Sequence, residues 1–281
     1  VTHIILESIE TTLEVTLVIF FLMVAVDFLD VYFRGHIKNY IEASRFRQYV
    51  VASFLGVTPG CAGAYLNVTM YMHGFMSMGA LTAGMIATTG DEAFVMMAEA
   101  PVRALLLFGG LFIAGLLLGA FFDRLQHRLG YQGCHNCELH TIHIQDHRHD
   151  WVHYFRVHIW KHILLHHVLR IAAWTLASVF LIKMGLFYFS LDALVHDHPA
   201  LVFLFAILIG LLPISGPHLL FVSMFSGGII PASVLIANSI VQDGHAMLPL
   251  MSYSLRDAVI IKGFKVLAAV VIAGLLYSFG L

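Results

Sequence analysis

Two long apolar stretches, residues 50–122 and 200–281, dominate the chain, and each is broken at short intervals. The first breaks at Thr58-Pro59-Gly60, Gly63, Gly74, Gly79, Gly84, Thr88-Thr89-Gly90-Asp91-Glu92 and Pro101. The second breaks at Pro213, Ser215-Gly216-Pro217, Gly227-Gly228, Pro231, Asp243-Gly244-His245 and Pro249. A simple helical span needs about 20 apolar residues to cross a ~30 Å hydrocarbon core, and few of these segments run that far. Backbone amides and carbonyls cannot be left open to lipid. Such segments therefore fold as short or broken helices and re-entrant hairpins, with the freed backbone buried in protein or lining a cavity.

Charge identifies the surroundings as lipid. Hydrophobic residues make up 59% of the chain, charged residues 11%, and mean hydropathy is +0.86, whereas a soluble domain carries about 25% charge. The expected fold is an all-α, polytopic transmembrane helical bundle. A first apolar segment runs from about Thr12 to Phe33 and carries Asp27 and Asp30, three apart on one helical face. Glu7, Glu10 and Glu14 stand where a signal peptide would have a basic region, so the expected location is the cell inner membrane, multi-pass, with lipid as a partner. A formal charge of -2 supplies no field for nucleic acid. The oligomeric state is left open, a homo-oligomer included.

An ungapped overlay that lays Gly63 on Gly216 and Gly74 on Gly227 brings the two broken zones into register, with Gly90-Asp91-Glu92 over Asp243-Gly244-His245 and Arg103 over Arg256. The loop 34–49 is basic, as is the segment 123–170, whereas 190–199 holds Asp192 and Asp197 with no Lys or Arg. By the positive-inside tendency, equivalent loops fall on opposite sides. The expected architecture is thus two inverted repeats, residues 1–122 and 168–281, joined by a cytoplasmic His/Cys-rich linker, 123–167, with an interfacial helix.

Polar groups at matched breaks are the prime candidates for ion binding or coupling, because half-helix ends offer unpaired amides or carbonyls at depth. From the first half these are Cys61, Asn67, His73, Asp91, Glu92 and Glu99; from the second, His218, Asp243 and His245, with Asp27 a further carboxylate. The competing interpretation makes Asp91, Glu92 and Asp243 wet helix caps at a membrane face. Arg103 lies four residues after Glu99, and Arg256 adjoins Asp257; these symmetric charge pairs could lock the fold. The 18 His outnumber the acids or the bases taken separately. Many fall in the linker, where Cys134-x2-Cys137, His140 and His143 suit zinc, though the second half does not close a zinc finger. A polar loop beside an interfacial helix is the alternative there. No nucleotide-binding loop, HExxH or Gly-x-Ser-x-Gly pattern occurs, so ATP-driven pumping is not expected and coupling would use an ion or proton gradient.

The Gly56-Val57-Thr58-Pro59-Gly60-Cys61 break, the Thr89-Gly90-Asp91-Glu92-Ala93 turn leading to Ala98-Glu99-Ala100-Pro101, the His-rich centre and Pro213-Ile214-Ser215-Gly216-Pro217-His218 carry a resemblance. They resemble a family of ten-transmembrane heavy-metal exporters or manganese transporters, distantly akin to organoarsenical permeases. The resemblance implies five helices per repeat and a divalent-metal or metalloid substrate, with Pro59, Gly60, Asp91, Glu92, Glu99, Gly216, Pro217 and His218 at matching positions. Thiols expected of an arsenic or mercury exporter are scarce, and O/N ligands suit Mn²⁺, Fe²⁺ or Zn²⁺ better. The expected function is secondary transport of a divalent metal cation, the metal being substrate. A permease for an organic anion or metalloid, using Arg103 and Arg256, is the second reading, and a membrane-embedded metal-dependent enzyme the third.

Overall fold

The computed structural model describes residues 2–32, 41, 43–90, 92–131, 133, 172–173, 176–177, 180, 184, 199–214 and 216–279. Among the described residues every regular element is helical, with an isolated bridge between Gly60 and Gly90. The all-α expectation holds. The helices are α1 (Thr2–Tyr32), α2 (Arg45–Val57), α3 (Ala62–Met72), α4 (Met78–Ala87), α5 (Glu92–Glu99), α6 (Pro101–Arg128), α7 (Pro199–Gly210), α8 (Gly216–Ser226), α9 (Ala232–Val241), α10 (Met247–Tyr253) and α11 (Leu255–Ser278). A 3-10 turn, Gly244–Ala246, precedes α10. α6 runs past 122, where the first repeat was expected to end.

Local chemistry sets these boundaries. α2 stops at Thr58, which is extended as a residue before proline tends to be. α3 and α8 both end in a left-handed glycine, Gly74 (φ 74) and Gly228 (φ 71). At each end the next amide reaches back into the last turn, Phe75 N to Met70 O (2.9 Å) and Ile229 N to Met224 O (2.8 Å). α4 begins at Ser77, whose Oγ accepts from Ala80 N. The Asp123 carboxylate, near the end of α6, accepts from Ser77 Oγ (2.7 Å), Gly79 N (2.8 Å) and Tyr49 OH (2.7 Å). An anion there opposes the positive N-terminal end of α4.

Those boundaries recur along the chain. α3, α4 and α6 start at 62, 78 and 101; α8, α9 and α11 start at 216, 232 and 255, a spacing of 154 that also separates Thr88 from Gln242. In this register Gly74 matches Gly228 and Gly90 matches Gly244, one residue on from the overlay expected from sequence, and Arg103 falls on Asp257 instead of Arg256. The packing recurs too. α4 lies against α2 and α6, as α9 lies against α7 and α11. The halves interlock through α4 with α9, α3 with α10, and α5 with α8.

Small residues make the close approaches possible. A side chain at Gly56 would meet Ala87, and one at the matching Gly210 would meet Val241, which is the match of Ala87. Along α6, Gly115 and Gly119 sit so near α4 that a Cβ would come within 2.6 Å of Ala83 O and 2.7 Å of Gly79 O respectively. Their counterparts in α11, Ala269 and Ala273, are fully buried. Among the described residues α6 and α11 are the two helices long and apolar enough to cross a membrane, with hydropathies of 2.5 and 2.3. Leu105, Leu106, Ile113 and Leu117 on α6, and Val259, Leu267, Val271 and Leu275 on α11, are exposed, as lipid contact requires.

Candidate functional site

The site grows from the C-terminal ends of the two short helices α4 and α9. After each end the chain turns extended, at Thr88 (ψ 123) and Gln242 (ψ 149), and then bends through a left-handed glycine, Gly90 (φ 63) and Gly244 (φ 53). Only glycine adopts that conformation without steric cost. Gln242 Nε2 donates to Thr88 O at 3.3 Å, so equivalent residues of the two halves touch at the junction. Gly60 N donates to Gly90 O (2.9 Å) and Thr89 N to Gly56 O (3.2 Å), which ties the break after α2 to the break after α4.

A buried ion cluster caps this junction. Asp243 forms an ion pair with Lys262 Nζ at 2.6 Å through one oxygen and accepts from Lys265 Nζ through the other, with Asp243 and Lys265 side chains at 0% exposure and Lys262 at 12%. Lys262 also donates to Gly210 O and Val241 O, each 2.9 Å away. Lys265 donates to Met85 O (2.7 Å) and Gln242 O (2.9 Å). Lys265 therefore has three acceptors for its three protons, and Lys262 has two carbonyl acceptors and the ion pair. The carbonyls belong to the last turns of α4, α7 and α9 or to the residue following α9, groups that have no intrahelical donor and carry the negative end of the dipole. Two cations, one carboxylate and three helix ends come close to electrical balance.

The matching place in the first half is built differently. Thr89, Phe108 and Leu111 stand where Asp243, Lys262 and Lys265 stand in the second. Beside them lies a small cavity, with room for about one water-sized occupant, lined by Thr89, Glu92, Met96, Phe108, Leu111 and Ser239 among others. Glu92, at the start of α5, is 7% exposed.

The remaining sequence candidates separate into several places. His218 is fully buried on α8, its Nδ1 3.2 Å from Asn238 Oδ1 and its Nε2 without a hydrogen-bond partner among the described residues. Asn67 donates to Ala52 O (2.9 Å), and Asn238 donates to Ala206 O (2.8 Å), the match of Ala52. Both amides brace helices. His73 lies 2.7 Å from Thr69 O at the end of α3, and Cys61 precedes α3, half-buried and outside any disulfide among the described residues. His245 sits in the 3-10 turn, half-buried. Arg103 and Arg256 are exposed and lie over the rings of Phe225 (5.5 Å) and Tyr131 (4.6 Å). Asp27 and Glu99 lie on α1 and α5, their side chains outside the described set; Asp91, Cys134, Cys137, His140 and His143 lie outside the described residues. Among the described residues no three His, Cys, Asp or Glu converge as a metal site.

Sequence reasoning placed Lys262 and Lys265 near the start of the last apolar run and gave them no role. Their signal was available: two lysines three apart inside a helix otherwise apolar enough to span a membrane are too costly to leave facing lipid.

Broken apolar helices surround a buried polar junction, flanked by two helices long and apolar enough to cross a membrane, an arrangement consistent with a multi-span membrane protein. The chain matches the family described as "Putative, 10TM heavy-metal exporter" over residues 3–170 and 158–279, and it belongs to that family. No curated protein and no solved structure matches it.

Proposed function

We propose that the chain is a secondary transporter that moves a divalent cation of the Mn²⁺, Zn²⁺ or Fe²⁺ class outward by alternating access between two inverted repeats, α2–α6 and α7–α11. The observation that carries this is the Thr88–Gln242 contact at the meeting of two equivalent helix ends. A junction between like elements can open to either side with similar contacts on both. Opposed direction of the halves is supported by α6 and α11. Phe121 and Phe122, late in α6, pack on Phe264 in the first half of α11 (6.2 and 4.8 Å between rings), while Leu111, earlier in α6, shares a cluster with Ala269 and Ala273, later in α11.

In this reading Glu92 is the cargo carboxylate, His218 offers a buried imidazole beside Asn238, and Asp91 and His245 serve coupling, with protons as the driving ion. Asp243 is the counter-ion of Lys262 and Lys265. An anionic cargo is less well served. The ammonium donors of both lysines are already engaged, and Arg103 and Arg256 are exposed at aromatic rings.

The test is uptake of radiolabelled Mn²⁺ and Zn²⁺ into proteoliposomes under an imposed pH gradient. Transport of either ion that collapses with the gradient supports the reading. Protein-independent flux of both ions removes it.

A further inference from the structure

Two contacts join the halves at equivalent positions, and their chemistry differs. Tyr71, near the end of α3, donates its hydroxyl to Asp257, in the first turn of α11, at 2.8 Å. The position matching Tyr71 is Phe225, and the position matching Asp257 is Arg103. These two also meet, with the Arg103 guanidinium 5.5 Å from the centre of the Phe225 ring. The surroundings correspond as well. Tyr71, Met247 and Ala258 belong to one buried apolar cluster, while Phe225 packs against another that holds their equivalents Ala93 and Ala104. Tyr131 also donates to Asp257, and its amide is bonded to Gln126 O (3.1 Å), so the Asp257 contact sits at the C-terminal end of α6. The Arg103 contact sits at the other end. From Arg103 to Arg128, α6 rises roughly 38 Å, more than the ~30 Å of hydrocarbon in a bilayer.

We propose that these contacts are the two gates of the transporter, one for each membrane face, and that they are unequal. This rests on the transport reading above and adds which gate holds. The Asp257 gate is the firm one. Its carboxylate is 1% exposed, accepts from two tyrosine hydroxyls and lies at the positive end of α11, where Ser254 Oγ caps the Asp257 amide (3.2 Å). Parting the halves there tears a buried anion from its donors. At the equivalent place the ring has no hydroxyl, Ala100 stands in place of the capping serine, and Arg103 sets a cation against the positive end of α6. Arg103 is exposed, and a cation over an aromatic face at an exposed site is a weak contact that tolerates sliding. The chain therefore rests shut at the end bearing Tyr131 and opens more readily at the end bearing Arg103.

The test is the rate at which a hydrophilic maleimide labels a cysteine behind each gate, in detergent-solubilised full chain with Cys61, Cys134 and Cys137 replaced by Ser. The reporters are Ala93→Cys and Met247→Cys, equivalent positions that are each 1% exposed. Ala93→Cys should label severalfold faster than Met247→Cys. Tyr71→Phe, which gives the firm gate the ring of the weak one, should speed labelling of Met247→Cys severalfold and leave Ala93→Cys unchanged. Asp257→Ala should act in the same direction and more strongly; Arg103→Gln should speed Ala93→Cys alone. The reporter at the opposite gate is the control for folding, because a loosened protein labels faster at both. Equal rates at the two reporters, or a faster Met247→Cys, overturn the inequality. Rates that Tyr71→Phe and Asp257→Ala leave unchanged, or raise equally at both reporters, overturn the gates. Flux of Mn²⁺ and Zn²⁺ through the unlabelled wild type keeps the two readings apart: no flux of either ion overturns the transport reading whatever the labelling, and flux with unresponsive reporters overturns only the gates.

Discussion

Gln242 Nε2 donates to the carbonyl of Thr88 at 3.3 Å, and the two residues occupy the same position in the two halves of the chain, 154 residues apart. α3 also packs on α10 and α5 on α8, an exchange of matching partners. Replacing Gln242 by Ala removes one neutral hydrogen bond and is expected to lower stability by about 1 kcal/mol. Thermal unfolding in detergent measures this; an unchanged transition temperature counts against the Gln242–Thr88 bond as an energetic contact.

Loss of Lys265 should be far more severe. Lys265→Met leaves Asp243 buried with one cation instead of two and strips the donor from Met85 O and Gln242 O. Breaking a buried pair from one side typically costs about 3–5 kcal/mol. Asp243→Asn should be comparably damaging, and the double variant should be less harmful than the sum of the two. Additive losses in that cycle would show that the three groups do not act as one cluster.

Much of this fold was legible in the chain itself. Composition gave the all-α membrane class, and Gly74, Gly90, Gly228 and Gly244 marked breaks that the backbone realises as left-handed turns. The register between halves slipped by one because chance Gly and Leu identities outweighed these turns, and a one-residue slip rotates a helix by about 100°. That is why Arg103 was matched to Arg256. For the lysine cluster, depth signalled burial but not the partners. Counted from Leu255, Lys262 and Lys265 lie roughly 10–15 Å along α11 at about 1.5 Å per residue, well inside the span instead of at its edge. Tertiary assembly of three helix ends, which no local pattern encodes, gave them partners.

The brace beneath the site should prove exchangeable between halves. Asn67, on α3, donates to Ala52 O; in the second half the donor to the matching Ala206 O is Asn238, on α9. The position matching Asn238 is Gly84, where a Cβ would strike the Asn67 amide, and the position matching Asn67 is Phe221. Gly84→Asn alone should destabilise by overpacking, by about 1–3 kcal/mol. Adding Asn67→Phe should recover a substantial part. A double variant no better than the single would refute the equivalence of the two braces.

Tyr131 offers a pH signature. Burial first, then its hydrogen bond to Asp257 and the charge of that carboxylate, raise its hydroxyl from 10.0 to about 12, with Arg256 partly opposing. Because the folded value is raised, the stabilisation is complete below pH 10 and is lost as pH climbs toward about 12. Tyrosinate absorbance compared between wild type and Tyr131→Phe isolates this group. A difference titration centred near the ordinary tyrosine value would contradict the assignment.

Asp257 joins more than a tyrosine to a helix start. It accepts from Tyr71 OH on α3 (2.8 Å) and from Tyr131 OH, just beyond α6, while its own amide is held by Ser254. The polypeptide that continues past Tyr131 toward the histidine-rich stretch is therefore moored to the very rod that bears Lys262 and Lys265.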